Sequence, residues 1–304
     1  MPLTTTGAEV QPLDRSGTDI VRGMSTTGPF DVAAYVRQPL GPMRETLQGL
    51  GTALPADLAD ALRYVQRRAQ GTGSWLAHVL VTATHKDARI TAFLATWAYE
   101  HHWIGDAVGA LAGAGPVPAI RRGIAVGLRE RFGPLREAIV ANLHGRALTG
   151  VQMTERLVDG WIVDAMLERA QQLAPEAVAA DLAKVREGIA RQAQFFAESA
   201  TEALTHSRAA RLLARRRLAL RAWPIGAERE PASATAHALE SLFGPDAAWA
   251  AAIDRRIDAL PGLAGLHLVR RTVRKPGRRP FRTTLLGTGS TRRSMPILDG
   301  KDAR

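Results

Sequence analysis

From residue 55 to about residue 260, apolar positions recur at helical intervals, Ala and Leu dominate, and alternating stretches of period two are almost absent. That pattern predicts an all-α chain. The clearest segment is 87–111, where Phe93, Trp97, His101, Ile104, Val108 and Leu111 follow one another at steps of three or four and line one face. Gly113, Gly115, Pro116 and Pro118 stop it. A second long helix is predicted from about 152 to 173, ended by Pro175, with Met153, Leu157, Trp161 and Met166 or Leu167 near its inner face. A third follows at once over 176–206, where Val178, Leu182, Val185, Ile189, Phe196 and Ala200 hold the helical period. Helices of this length joined by short loops point to a bundle.

Shorter helices are expected over 55–70, 73–84, 118–131, 134–148, 208–223, 232–243 and 247–260, and no repeat of 20 to 50 residues is present. Residues 1–30 mix Thr, Gly, Ser and Pro without the basic and apolar regions of a secretory signal, and read as a disordered lead. The organisation expected is therefore lead (1–30), bundle (31–225), a short C-terminal helical segment (226–269) and a basic, flexible tail (270–304). No apolar run reaches the roughly 18 residues of a membrane span, so a cytoplasmic protein without a transmembrane segment is expected.

Charge is unevenly placed. Residues 270–304 hold eleven Lys/Arg against two Asp/Glu, which is +9 of the chain's +11, and include Arg270, Arg271, Arg274, Lys275, Arg278, Arg279 and Arg282. The body is nearly neutral, and the tail has one aromatic, Phe281, where a single-strand nucleic-acid binder would interleave several, so nucleic acid is not the expected main partner. Arg outnumbers Lys 36 to 4 throughout, which weakens arginine count as a sign of phosphate binding. The run 208–221 is basic and amphipathic; a solvated helix face is expected there, with an acidic partner or anionic lipid as the alternative.

With no cysteine, thiolate zinc sites, iron–sulfur clusters, disulfides and cysteine nucleophiles are excluded. There is no Gly-x-Ser-x-Gly elbow, and Gly71-Thr-Gly73-Ser lacks the ending of a phosphate loop. Long bundles often hold metals through a Glu-x-x-His pair, yet none of the eight histidines has a carboxylate three residues before it. Glu202 and His206 at i, i+4 read as an exposed helix-end pair, His85 as a helix-boundary residue, and Trp97, Trp103 and Trp161 as core filling.

The stretch Phe93-Leu-Ala-Thr-Trp97-Ala-Tyr-Glu100-His101-His102-Trp103-Ile104-Gly105-Asp106-Ala107 resembles the second bundle helix of the ferritin-like carboxylate di-iron proteins, in particular the acyl-carrier-protein desaturases and related bacterial proteins, which read Trp-x-x-Glu-Glu-x-x-His-Gly-(Asp or Glu). It extends less specifically through Thr154-Glu155-Arg156, through Ile189-Ala190-Arg191-Gln192-Ala193-Gln194-Phe195, and to Arg221-Ala-Trp223-Pro224-Ile-Gly226, covering roughly residues 75–225. The resemblance implies a ferritin-like long-helix bundle with additional short C-terminal helices. For metal it implies loss. The family's metal-binding Glu and His fall on His101 and Ile104, a second Glu and His fall on Arg191 and Gln194, and residues 61–86 hold no Asp or Glu. Glu155, or Asp159 or Asp164 in a shifted alignment, survives as a candidate ligand.

A guanidinium at a ligand position would repel two ferrous ions, and Arg191, if it points inward, is expected to pair with Glu155 or Asp159 instead. Three readings follow. The first is a bundle that has lost its di-iron site, needs no cofactor, and serves as a structural, partner-binding or apolar-ligand-binding protein, as a homodimer or in mixed assembly with a related bundle protein. The second is an iron- and oxygen-dependent enzyme of the desaturase type, with a rearranged ligand set drawn from Glu100, His101, Glu155, Asp159 and Glu198. The third is a basic-tail adaptor for nucleic acid or an acidic partner.

Overall fold

A computed structural model describes residues 29–80, 82–115, 145–227 and 230–274. The helices expected over 118–131 and over most of 134–148 lie outside these residues, as do positions 1–28 and 275–304. Helices form at α1 (Val32–Arg37), α2 (Ala56–Gln70), α3 (Thr72–Leu80), α4 (Ala88–Leu111), α5 (Arg146–Leu173) and α6 (Glu176–His206). They continue at α7 (Arg208–Leu220), α8 (Ala232–Phe243), α9 (Ala248–Asp258) and α10 (Leu268–Arg274), and no strand occurs among the described residues.

Local chemistry sets these boundaries. Asp87 opens α4 by accepting a hydrogen bond from the Ile90 N–H at 3.0 Å, and Ser207 both ends α6 and opens α7, its hydroxyl accepting from Ala210 N at 3.1 Å. The helix expected over 73–84 is two pieces, α3 and a 3-10 turn at Ala83–Lys86. Here Thr82 Oγ1 donates to the Val79 carbonyl at 2.7 Å, and the Thr84 hydroxyl donates to Gln152 Oε1 at 2.8 Å; these side-chain bonds compete with the helical ladder. Helix α7 stops at Leu220 rather than 223, because Arg221 is extended and Trp223 precedes a proline, which disfavours helical torsions. Helix α5 starts at Arg146, earlier than expected, since Leu148 and Val151 carry its buried stripe further back.

Two antiparallel pairs make the bundle. Helices α5 and α6 form a hairpin: Arg186 meets Asp164 near its turn, while a Cβ added at Gly150 would lie 2.3 Å from that of Ala203 at the far end. Helices α2 and α4 run antiparallel in the same way, with Gly105 against Ala69 and the Arg63 guanidinium donating to the Ala112 carbonyl at 3.1 Å. The pairs meet around an aromatic cluster in which Phe93 stacks on Phe195 with centroids 3.7 Å apart, and Phe30, Tyr35, Trp97 and Phe196 pack edge-on or stacked around them. Each such ring contributes about 1.5–3 kcal/mol on full burial. The segment expected to start a flexible tail at 270 begins instead as α10, because the buried Asp254 accepts from Val269 N at 2.9 Å and from Arg270 Nε at 3.1 Å.

Candidate functional site

Helix α4 carries Glu100 into the bundle with no exposed surface, and four donors converge on its two oxygens. Tyr35 OH and Gln192 Nε2 donate to Oε2 at 2.5 and 2.7 Å, while Leu40 N and Arg191 Nη2 donate to Oε1 at 2.8 and 2.5 Å. Adjacent residues of α6 thus supply one amide and one guanidinium to the same carboxylate. Burial, then the nearby Glu100 charge, raises the Tyr35 phenol far above its ordinary range, so Tyr35 stays a donor. Arg191 also lies over the Tyr35 ring at 4.8 Å and donates to the Gln38 carbonyl at 3.2 Å. The expected pairing of Arg191 with Glu155 or Asp159 is therefore corrected: its partner is Glu100, because both side chains face the seam between α4 and α6.

His101 is tied into the same network. The Gln192 amide spends its N–H on Glu100, so its Oε1 accepts from His101 Nε2–H at 3.1 Å, leaving Nδ1 toward the Thr72 hydroxyl at 3.5 Å. Burial and then the Arg156 charge push the imidazole down to about 3, so a neutral ring is held there at physiological pH. Ile104, one turn on, is buried in the core.

A second cluster sits under α7. Glu155 is fully buried and receives Arg217 Nε at 3.2 Å and Arg221 Nε at 3.1 Å, two residues four apart on one face of α7. Asp159 receives Arg68 Nη2 at 3.2 Å, Arg156 Nη1 at 3.1 Å and the Ile225 backbone N–H at 2.6 Å. Arg156 is buried between two indoles, 4.0 Å from the Trp75 centroid and 5.1 Å from that of Trp97. Burial lowers its guanidinium to about 9, opposed mainly by Asp159, so it stays cationic at neutral pH. Gly226, at φ +88°, lets the chain pass this cluster: a Cβ there would lie 2.3 Å from Arg68 Nη1.

These positions settle where each sequence candidate lies. Glu155 and Asp159 face the interior, whereas Asp164 is partly exposed and paired with Arg186 at 2.9 Å. Glu198 lies near the surface, bonded to Arg89 at 2.7 Å and to the Phe30 N–H at 2.6 Å, rather than among core ligands. Gln194 is half-buried and adds no described bond to the Glu100 network. The run 208–221 is not solvated throughout, since Arg217 and Arg221 turn inward. Of the basic-tail residues, Arg270 is fixed to Asp254 and Arg271 and Arg274 lie on α10, while Lys275, Arg278, Arg279 and Arg282 lie outside the described residues.

Sequence reasoning passed over Tyr35, Gln192, Arg68 and Arg156. The signals within reach were short-range: the i, i+3 spacing of Arg156 and Asp159, and the i, i+4 spacing of Arg217 and Arg221. It also missed a use of acids that recurs through the fold. Glu100, Asp159, Asp181, Glu198 and Asp254 each accept a backbone N–H from outside the helix that carries them, at Leu40, Ile225, Gly49, Phe30 and Val269 respectively.

The donor set does not fit a di-iron centre. Glu100 has both oxygens taken by donors, His101 has its Nε2 proton and Nδ1 lone pair engaged, and Glu155 is gripped by two guanidiniums that would repel a cation. Among the described residues, no group of three or more His, Asp or Glu could hold a metal ion.

No family model, curated protein or solved structure matches the chain. No described helix is long and apolar enough to cross a membrane. The all-helical bundle and its ion-paired interior stand on the geometry alone.

Proposed function

We propose that this chain is a ferritin-like bundle whose di-iron site has been replaced by ion pairs, and that it serves as a non-catalytic, structural or partner-binding protein. One observation carries this reading: Arg191, which stands where the di-iron-like motif has a second metal-binding Glu, puts its guanidinium on the buried Glu100, whose two oxygens take four donors in all. A carboxylate in that state has no lone pair to offer without breaking a buried bond. The second cluster supports it, since the two remaining inward candidates, Glu155 and Asp159, are engaged by the guanidiniums of Arg217, Arg221, Arg68 and Arg156 and by the Ile225 N–H.

The test is iron content by mass spectrometry after expression with supplemented iron, repeated after anaerobic ferrous loading and desalting. The expected result is essentially no retained iron. Retention of about two irons per chain, the stoichiometry of a carboxylate-bridged pair, would overturn the proposal and turn attention to oxygen chemistry.

A further inference from the structure

Outside the bundle, α8 and α9 border a hollow of about 330 Å³ whose wall is Phe243 stacked on Trp249, centroids 4.2 Å apart and 14° from parallel. A second hollow of about 240 Å³ shares Phe243, Asp246 and Trp249 with the first and runs on to Glu168 of α5. Together they make one trough with half-buried aromatic rings, flanked by Glu240, Asp246 and Glu168. The trough's own cation, Arg169, is committed, donating to the Leu242 carbonyl at 2.9 Å and to Gln172 Oε1 at 3.0 Å. Glu168 is approached by Arg186 at 3.4 Å, whereas Glu240 and Asp246 are exposed and have no described ion pair.

Val273 of α10 lines this trough, and the described chain ends one residue later, at Arg274. The next eight residues read Lys275-Pro-Gly-Arg278-Arg279-Pro-Phe281-Arg282, four cations and one aromatic. We propose that residues 275–282 dock back into the trough of their own chain, Phe281 against the Phe243–Trp249 pair and the cations along Glu240, Asp246 and Glu168. Charge complementarity and the place where the chain leaves α10 both favour this occupant. At about 3.3 Å per residue, eight residues from Val273 reach roughly 26 Å, ample to span a hollow of this size.

The contact need not be strong. A short tether supplies an effective concentration of about 1 mM, so an intrinsic Kd of about 0.1 mM keeps roughly nine-tenths of the tails docked. Docking sets part of the tail's positive charge against the body, and salt releases it. This inference goes beyond the metal-free reading of the core and is independent of it.

The absence of cysteine makes a clean test possible. Thr283→Cys, carrying a nitroxide label, is introduced into the full ¹⁵N-labelled chain, and the Trp249 indole N–H signal is followed, assigned through Trp249→Phe. At about 50 mM salt the label is expected to cut that signal to less than half. At about 1 M salt, where screening acts over about 3 Å, the signal recovers at least twofold. It recovers likewise at low salt in Glu240→Lys/Asp246→Asn, which alters exposed charges while keeping an oxygen at 246. Three results overturn the proposal: an undiminished signal at low salt, a reduction that neither salt nor the charge variant changes, or a reduction seen as strongly when ¹⁵N chain without label is mixed with labelled ¹⁴N chain. The last would place the tail on a second copy.

Discussion

Replacing Arg191 by methionine removes the cationic donor to Glu100 and keeps much of its apolar stem. Removing one partner of a fully buried ion pair costs about 3–5 kcal/mol. Here the Arg191 side chain is 36% exposed, so its attraction is partly screened, and Glu100 keeps Tyr35, Leu40 N and Gln192 as donors. The expected loss is therefore about 2 kcal/mol. Glu100→Gln turns an amide NH₂ toward donors that a carboxylate satisfied and leaves Arg191 without its anion; about 2–3 kcal/mol is expected. Because both changes break the same contact, the double variant should be less destabilised than the sum by about 1 kcal/mol. Urea unfolding followed by far-UV circular dichroism measures all four proteins. Thermal melts should show Arg191→Met about 4–8 °C and Glu100→Gln about 4–12 °C lower for a body of this size. If Arg191→Met lies within about 0.5 kcal/mol of the parent, or if the two losses simply add, the Glu100–Arg191 pair does not close the core.

His101, pushed down to about 3 in the fold, takes up its proton more readily unfolded, where its ordinary value is near 6.5. The unfolded state then binds more protons between those values, so this contribution is complete above about pH 6.5 and is lost as pH falls below it. Because pH 7 lies above the unfolded value, the average slope between pH 7 and 5 is about 1 rather than the limiting 1.4 kcal/mol per unit, and urea titrations at pH 7 and 5 should show the parent losing about that much more per unit than His101→Gln; parallel losses would contradict it. Gly150→Ala places a Cβ 2.3 Å from that of Ala203, so the α5–α6 hairpin must spread at a net cost of about 1–3 kcal/mol despite alanine's better helix propensity. Gly160→Ala on the same helix meets no described atom within 4 Å and should stabilise by about 0.5–1 kcal/mol. Denaturant midpoints of the two variants should move in opposite directions, and a shared direction would show that close approach at 150 is not what selects glycine.

The helical frame was legible because its signals are local. The apolar period over 176–206 and the stop at Pro175 before it sit in the sequence itself, and α6 occupies that span. The interior ion pairs were only half legible. That a guanidinium at 191 would seek a carboxylate followed from charge alone, but which carboxylate depends on how α6 turns against α4, information that no local pattern carries. The sequence left Glu155, Asp159 and Asp164 as alternatives for an inward acid; Glu155 and Asp159 are the buried ones, and their partners Arg217, Arg221 and Arg68 come from other helices. Tyr35 and the Leu40 N–H lie in a stretch without strong periodicity, and nothing there announced that they would reach Glu100.

The acids that pin backbone from outside their own helices impose a timetable on the nascent polypeptide. Phe30 binds Glu198 across 168 residues, and Gly49 binds Asp181 across 132. At about 5–20 residues per second, the ribosome leaves Phe30 waiting roughly 8–34 s for its acceptor, and Glu100 waiting roughly 5–18 s for Arg191. Until then the amino-terminal rings have Phe93 but lack Phe195 and Phe196, and the carboxylate at 100 lacks Arg191 and Gln192. The first residues of the described chain to be made are thus among the last to gain their partners, which makes 30–49 the stretch left longest without its acceptors during translation.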